Sequence, residues 1–276
     1  LSLIKYNVYV NGTQVTGLNK GNVLASDTNN SGKVSYTPAG EGTPAKLTLS
    51  GVNLTSSGIS TSEPLVIELQ ANTTNTISVS GHAINMHQDT SSSKPAPLEI
   101  TGTGTLNVTG SSQSSTLYAY GDVTINGGAN VTAINTNTGL GDALDLTQHH
   151  LTISGDGTTL LAQKSGTAQG VAAINNVNTL TVDGGATLTA QSGNKAVVAQ
   201  QITYPTGATI SVDKSYNNSG ANLTYEFSNL SNYKYMKVET GSGVATTKEA
   251  TPNATFTATG PDCGTLSDVS NGMQYK

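Results

Sequence analysis

The sequence predicts an all-β fold: a right-handed parallel β-helix of three-sided coils, with an N-terminal β cap and a short C-terminal extension. Three observations predict it. First, one unit recurs through the middle of the chain: apolar-x-apolar, a polar residue, a Gly-rich corner, then apolar-x-apolar again. Leu98–Val108, Val123–Ala133, Leu151–Gln163 and Leu180–Gln191 are its clearest copies. Second, a further short alternation recurs between copies, at Leu117/Ala119, Leu144/Leu146, Ala172/Ile174 and Val197/Ala199. Three alternations per repeat suit a coil with three faces, each turning residues i and i+2 inward. Third, the copies align in columns. Thr124, Thr152 and Thr181 share an outward position, and Thr101, Asn126, Ser154 and Asp183 share a corner. Like residues stacked at about 4.8 Å are what parallel coils produce.

Composition agrees. Of 276 residues, 35% are hydrophobic and only 11% charged, with 31 Gly and no Trp. Regular alternation of β-formers at a net charge of -5 separates the chain from disordered sequences. All 12 basic residues are lysine, and the mild acidity argues against nucleic acid, which requires basic patches. The single cysteine, Cys263, excludes an internal disulfide framework and a Cys-based zinc site. No apolar run approaches the roughly 20 residues of a membrane span, so no membrane insertion is expected.

In chain order, residues 1–46 read as an N-terminal cap. Tyr6-Asn-Val8-Tyr-Val10 alternates, Asn11-Gly12 is a hairpin turn, and Val34-Ser-Tyr36 adds another strand. Such atypical units cover the open end of a stack. Residues 47–238 carry the coils, with anchors at Leu47, Leu65, Leu98, Val123, Leu151, Leu180 and Ile202. Their separations are 18, 33, 25, 28, 29 and 22 residues. Tyrosines crowd residues 204–238, as expected of a plug on the last coil. Residues 239–276 read as a linker and the first strands of a following β module.

A competing reading makes each copy an antiparallel hairpin in a sandwich or barrel, because Asn126-Gly127 and Asp183-Gly184 are favoured hairpin turns. The recurring third alternation and the column alignment favour the coil.

The chain resembles a group of Gram-positive, gut-type bacterial surface proteins whose extracellular part is a pectate-lyase-like β-helix, often labelled a carbohydrate-binding domain. The resembling residues are Tyr6–Val15, Gly32–Tyr36 and the repeated Leu-Thr-Ile-x-Gly-x-Gly/Ala units; the tail Ala254–Tyr275 looks like an immunoglobulin-like module. The resemblance implies extracellular display and glycan recognition, and it transfers no catalytic residue.

Candidate sites are few. A lyase on this fold needs a strong base beside calcium-holding acids, and a glycosidase needs paired carboxylates at about 5–9.5 Å. Arginine is absent and no lysine lies in a repeated acidic cluster. The expectation is therefore no enzyme, with a calcium-dependent polysaccharide lyase or hydrolase as one alternative and a structural spacer or host-protein adhesin as another. Asp142 and Asp145, in the cluster Asp142–His150, form a candidate surface calcium site bridging an acidic glycan; the bland reading is a solvated acidic corner. His87 and Asp89 lie in the longest gap between anchors, where loops on such folds build grooves. Tyr118 and Tyr120 alternate with Leu117 and Ala119 and form a candidate sugar platform if they face outward. The expected partner is a polysaccharide or host glycan, with the chain a monomer and calcium the one cofactor considered.

Overall fold

The computed structural model describes residues 3–28, 30, 32–88, 94–219 and 223–241, together with the backbone of residues 255–260 and 263–267. The chain divides into two compact units, Leu1–Ser242 and Gly243–Lys276. In the second, Thr255–Gly260 pairs antiparallel with Cys263–Ser267.

The first unit is all-β with mostly parallel strands, and the chain visits the same three ladders in rotation. The first ladder runs from Ala45–Ser50 through Leu65–Leu69, Leu98–Thr101 and Val123–Ile125 to the last residues of Leu144–Ser154, Ala172–Asp183 and Lys195–Thr203. The second runs from Asn53–Leu54 through Thr74–Val79, Thr105–Gly110, Asn130–Asn135 and Thr159–Lys164 to Thr187–Ser192. The third begins at Ile59–Thr61, passes through Ile84–Met86 and Leu117–Ala119, and ends in the first residues of the same three long strands.

These pairings exclude the hairpin reading of the repeats. Val123–Ile125 and Asn130–Asn135 flank an Asn-Gly turn, yet each pairs with strands of other copies. The turn carries the chain from one ladder to another. Gly127 and Gly184 take φ of 66° and 62° there, a conformation that favours glycine. The register differs from expectation at the first copy, where Leu65 pairs with Ala45 and Leu47 with Ile67. The phase of two residues went unread because Ala45 is a weak apolar signal.

Register is held by the inward rows. Leu65, Leu98, Val123, Leu151 and Leu180 are all buried in one row of the first ladder. Burying such a side chain contributes about 1.5–3 kcal/mol, and slipping one residue turns the whole row outward. The coils also pass close to one another. A Cβ on Gly58 would lie 2.0 Å from the Ala83 carbonyl oxygen.

The ends are antiparallel. Lys5–Val10 and Thr13–Thr16 form a hairpin about Asn11-Gly12, whose φ values of 49° and 79° suit a two-residue turn. Lys5–Val10 pairs antiparallel with Ile59–Thr61, and Lys33–Thr37 with Ala45–Ser50, covering two strand edges. At the far end Tyr235–Glu239 pairs antiparallel with Thr187–Ser192 and with Thr209–Asp213. The rings of Tyr204, Tyr225 and Tyr233 form a chain, with Tyr233 buried.

A buried polar group fixes the approach to the third ladder. Lys164 is fully buried and donates to Asn135 Oδ1 at 3.2 Å, to the Asn137 carbonyl and to the Leu140 carbonyl at 3.4 Å. Burial pushes its ammonium below the usual lysine range. The loop so held leads directly into Asp142 and Leu144.

Candidate functional site

The site is built on the outer face of the third ladder. Inward Ile59, Ile84, Leu117 and Leu144 are buried, so the residues after them point outward. Register pairing sets Ser60 beside Asn85, Asn85 beside Tyr118, Tyr118 beside Asp145, and Asp145 beside Asn175. Side chains paired this way share one face, with neighbours about 4.8 Å apart along the stack. All five are half-buried.

Tyr118 is braced from below. The His82 ring lies 5.5 Å from it at 44°, and His82 Nδ1 hydrogen-bonds to the Ser115 carbonyl. Because the carbonyl only accepts, Nδ1 carries the proton. Burial, then the nearby Asp145 carboxylate and Tyr120, push the Tyr118 hydroxyl above its usual range, so it stays a neutral donor at physiological pH.

Tyr120 is held edge-on. His149 lies 5.2 Å from its ring at 61°, and Gln88 Nε2 donates to its hydroxyl at 3.0 Å. His149 is placed by a kink in the long strand Leu144–Ser154, where Thr147 and Gln148 take φ of 50° and 70° and the pairing register shifts. There His149 Nδ1 bonds to the Leu146 carbonyl at 3.0 Å, and Thr147 Oγ1 donates to the Ala119 carbonyl at 2.9 Å. Positive φ at a threonine gave no sequence signal, so the kink went unread.

Beside Tyr118 lies a depression of about 350 Å³, lined in part by Ser57, Ser60, Ser80, His82 and Asn85. Its size falls within the usual range for small-molecule sites. Asn85 Oδ1 is buried and has no hydrogen-bond partner among the described residues. A buried acceptor left without a partner costs roughly 1–3 kcal/mol, so it marks a place where an external donor is rewarded. A larger, mostly apolar depression of about 560 Å³ lies elsewhere, lined by Pro44, Pro64 and Pro97 among others. It offers few groups to hydrogen-bond a polar ligand.

The expected residues are thus only partly gathered. Tyr118, Tyr120 and Asp145 share the outer face. His87 directly follows the strand Ile84–Met86, its backbone N–H donating to the Thr61 carbonyl at 3.0 Å. Asp89 lies outside the described residues. Asp142 departs from the expected surface pair, being only 6% exposed. Its Oδ1 accepts the Ala172 N–H at 2.7 Å and its Oδ2 accepts from Asn175 at 3.1 Å. Burial raises its carboxyl above the usual range against the pull of those bonds. Asp145 Oδ1 accepts from the Thr147 N–H and from Asn176 Nδ2, each at 3.0 Å. Asp142 therefore ties two coils together, where sequence reasoning had it as half of a surface calcium site bridging an acidic glycan. Among the described residues no group of three or more His, Cys, Asp and Glu is placed to hold a metal ion. Sequence reasoning placed His82 and Asn85 in the same polar segment as His87 but missed Ser60 beside Asn85, because the two lie 25 residues apart.

Chemically the face combines aromatic surfaces, hydroxyls and amides. Aromatic faces take the apolar C–H faces of a sugar, while amides and hydroxyls pair with its hydroxyls. No helix among the described residues is long and apolar enough to cross a membrane. Neither the search of curated proteins nor that of solved structures gives a match. A family model described as carbohydrate-binding domain-containing protein matches residues 11–273. That match spans nearly the whole chain, which belongs to the family of carbohydrate-binding domain-containing proteins.

Proposed function

We propose that this chain is a non-catalytic, extracellular glycan-binding module that serves in adhesion or display, and that its glycan binds on the outer face of the third ladder. The observation that carries the reading is Asn85, which lines a polar depression, pairs in register with Tyr118, and keeps its Oδ1 buried without a partner among the described residues. A sugar hydroxyl supplies the missing donor while the ring covers a C–H face. Family membership supports a glycan as the ligand.

The same proposal includes the finer architecture. Three ladders visited in rotation support three-sided coils, and parallel crossovers are right-handed in nearly all proteins. The reading extends to a pectate-lyase-like stack of the kind carried by Gram-positive gut bacteria, through the resemblance of Tyr6–Val15 and the repeated units. Non-catalytic action is supported by the state of the carboxylates. Both Asp142 oxygens are bonded to Ala172 and Asn175, and Asp145 bonds its own kink. Neither is placed as a free acid or base facing the depression. Binding is accordingly expected without calcium.

A glycan array probed with the chain, with and without a calcium chelator, tests this reading. The expected result is calcium-independent binding to a restricted set of glycans, weakened several-fold in Tyr118→Ala. Failure to bind any glycan would leave the spacer or host-protein adhesin reading. Turnover of a bound polysaccharide would restore the enzyme.

A further inference from the structure

The row of outward residues does not stop at Ser60. The cap strand Lys5–Val10 pairs antiparallel with Ile59–Thr61, and the register sets Tyr9 directly opposite Ser60. Val8 and Val10 on either side are fully buried, so Tyr9 faces outward, and it is 37% exposed. One outer row therefore reads Tyr9, Ser60, Asn85, Tyr118, Asp145 and Asn175. Two tyrosines bracket the serine and the asparagine, three strand spacings apart, or roughly 14 Å along the stack. The polar depression lined by Ser60 and Asn85 lies between them.

We infer that Tyr9 is a second sugar platform, and that the ligand is an extended neutral oligosaccharide lying along the stack from Tyr118 to Tyr9, across the strands. The inference rests on the glycan-binding reading above and adds its direction, its length requirement and its charge class. Direction follows from the row, since consecutive polar contacts occur across strands at a constant spacing. Length follows from the gap between rings, which a single sugar does not bridge. Charge follows from the lining. The depression holds serines, His82 and Asn85, with Asp145 on the row beyond Tyr118, and no lysine among the described residues lines it. A polyanionic glycan meets no counter-charge there and a carboxylate at one end.

Calorimetry with neutral gluco- and manno-oligosaccharides, from disaccharide to hexasaccharide, tests the inference on the whole chain. Affinity is expected to rise with length and then level off once both rings are engaged. Tyr9→Ala is expected to narrow the hexasaccharide-to-disaccharide affinity ratio by about three- to tenfold, the worth of one aromatic contact. Tyr118→Ala is expected to weaken every length. Tyr9→Phe, which keeps the ring, is expected to restore the ratio; an unchanged melting temperature confirms that the variants fold. Tyr118-dependent binding that is equal for disaccharide and hexasaccharide, or a ratio untouched by Tyr9→Ala, overturns the second platform alone. Tighter binding of a uronic-acid oligosaccharide of matched length overturns the charge class. No binding at any length overturns both this inference and the reading beneath it.

Discussion

The ring of His82 lies 5.5 Å from that of Tyr118 on the neighbouring coil, and His82 itself lines the polar depression. His82 is itself anchored through Nδ1 to the Ser115 carbonyl, so the brace under Tyr118 is tied to backbone. A ring fixed in this way loses little freedom when a sugar stacks on it, which favours binding.

Tyr118→Ala is therefore expected to weaken glycan binding about three- to tenfold, equivalent to the ~0.5–1.5 kcal/mol of one aromatic contact. Tyr118→Phe is expected to retain most of the affinity, because the ring supplies the contact. Titration calorimetry on the two variants separates stacking from hydroxyl hydrogen bonding.

Asn85 gives a prediction of opposite sign in two assays. Its Oδ1 is buried without a partner among the described residues, so the free protein bears the desolvation cost of that atom. Asn85→Ala is expected to leave the melting temperature unchanged or raised while weakening glycan binding. Joint loss of stability and binding would instead mark Asn85 as a structural residue.

Asp142 predicts a pH effect. Burial above all holds its carboxyl above the usual value of 3.8, so the folded state binds that proton more tightly than the unfolded chain does. Its contribution to stability therefore falls as pH rises from 3.8 through the folded value. Glu68 runs the other way: its hydrogen bonds to Lys46 and Thr48 lower its carboxyl, and that stability is lost as pH falls. Asp142→Asn keeps an acceptor for the Ala172 N–H and removes the titration. The difference in melting temperature, variant minus wild type, is expected to grow toward neutral pH; a flat difference contradicts the assignment.

Lys164→Met keeps the bulk of the side chain and removes the donor shared by Asn135, Asn137 and Leu140. A hydrogen bond to a charged group contributes roughly 1.5–3 kcal/mol, and the variant is expected to lose about that much in urea unfolding.

Much of this fold was legible in the sequence because its signal is local and repeated. Leu98-x-Ile100 and Val123-x-Ile125 each show which residues turn inward, and their similarity shows that they stack in parallel. The outward direction of Tyr118 and Tyr120 followed from the same alternation. What stayed hidden depends on pairings between distant segments. Tyr9 was readable as part of a strand, but its place beside Ser60 requires an antiparallel contact 51 residues away. Asp142 read as a surface acid because its neighbours are polar, and the Ala172 N–H that draws it inside lies 30 residues on. The length of the loops between coils sets such pairings, and periodicity alone does not supply it.

The most direct test of the central claim is titration calorimetry of a neutral oligosaccharide selected on the array, using wild type and Tyr118→Ala, each with calcium and with chelator. The account predicts saturable binding by wild type that is indifferent to chelator and several-fold weaker in Tyr118→Ala. Binding that disappears with chelator, or that Tyr118→Ala leaves intact, would contradict it.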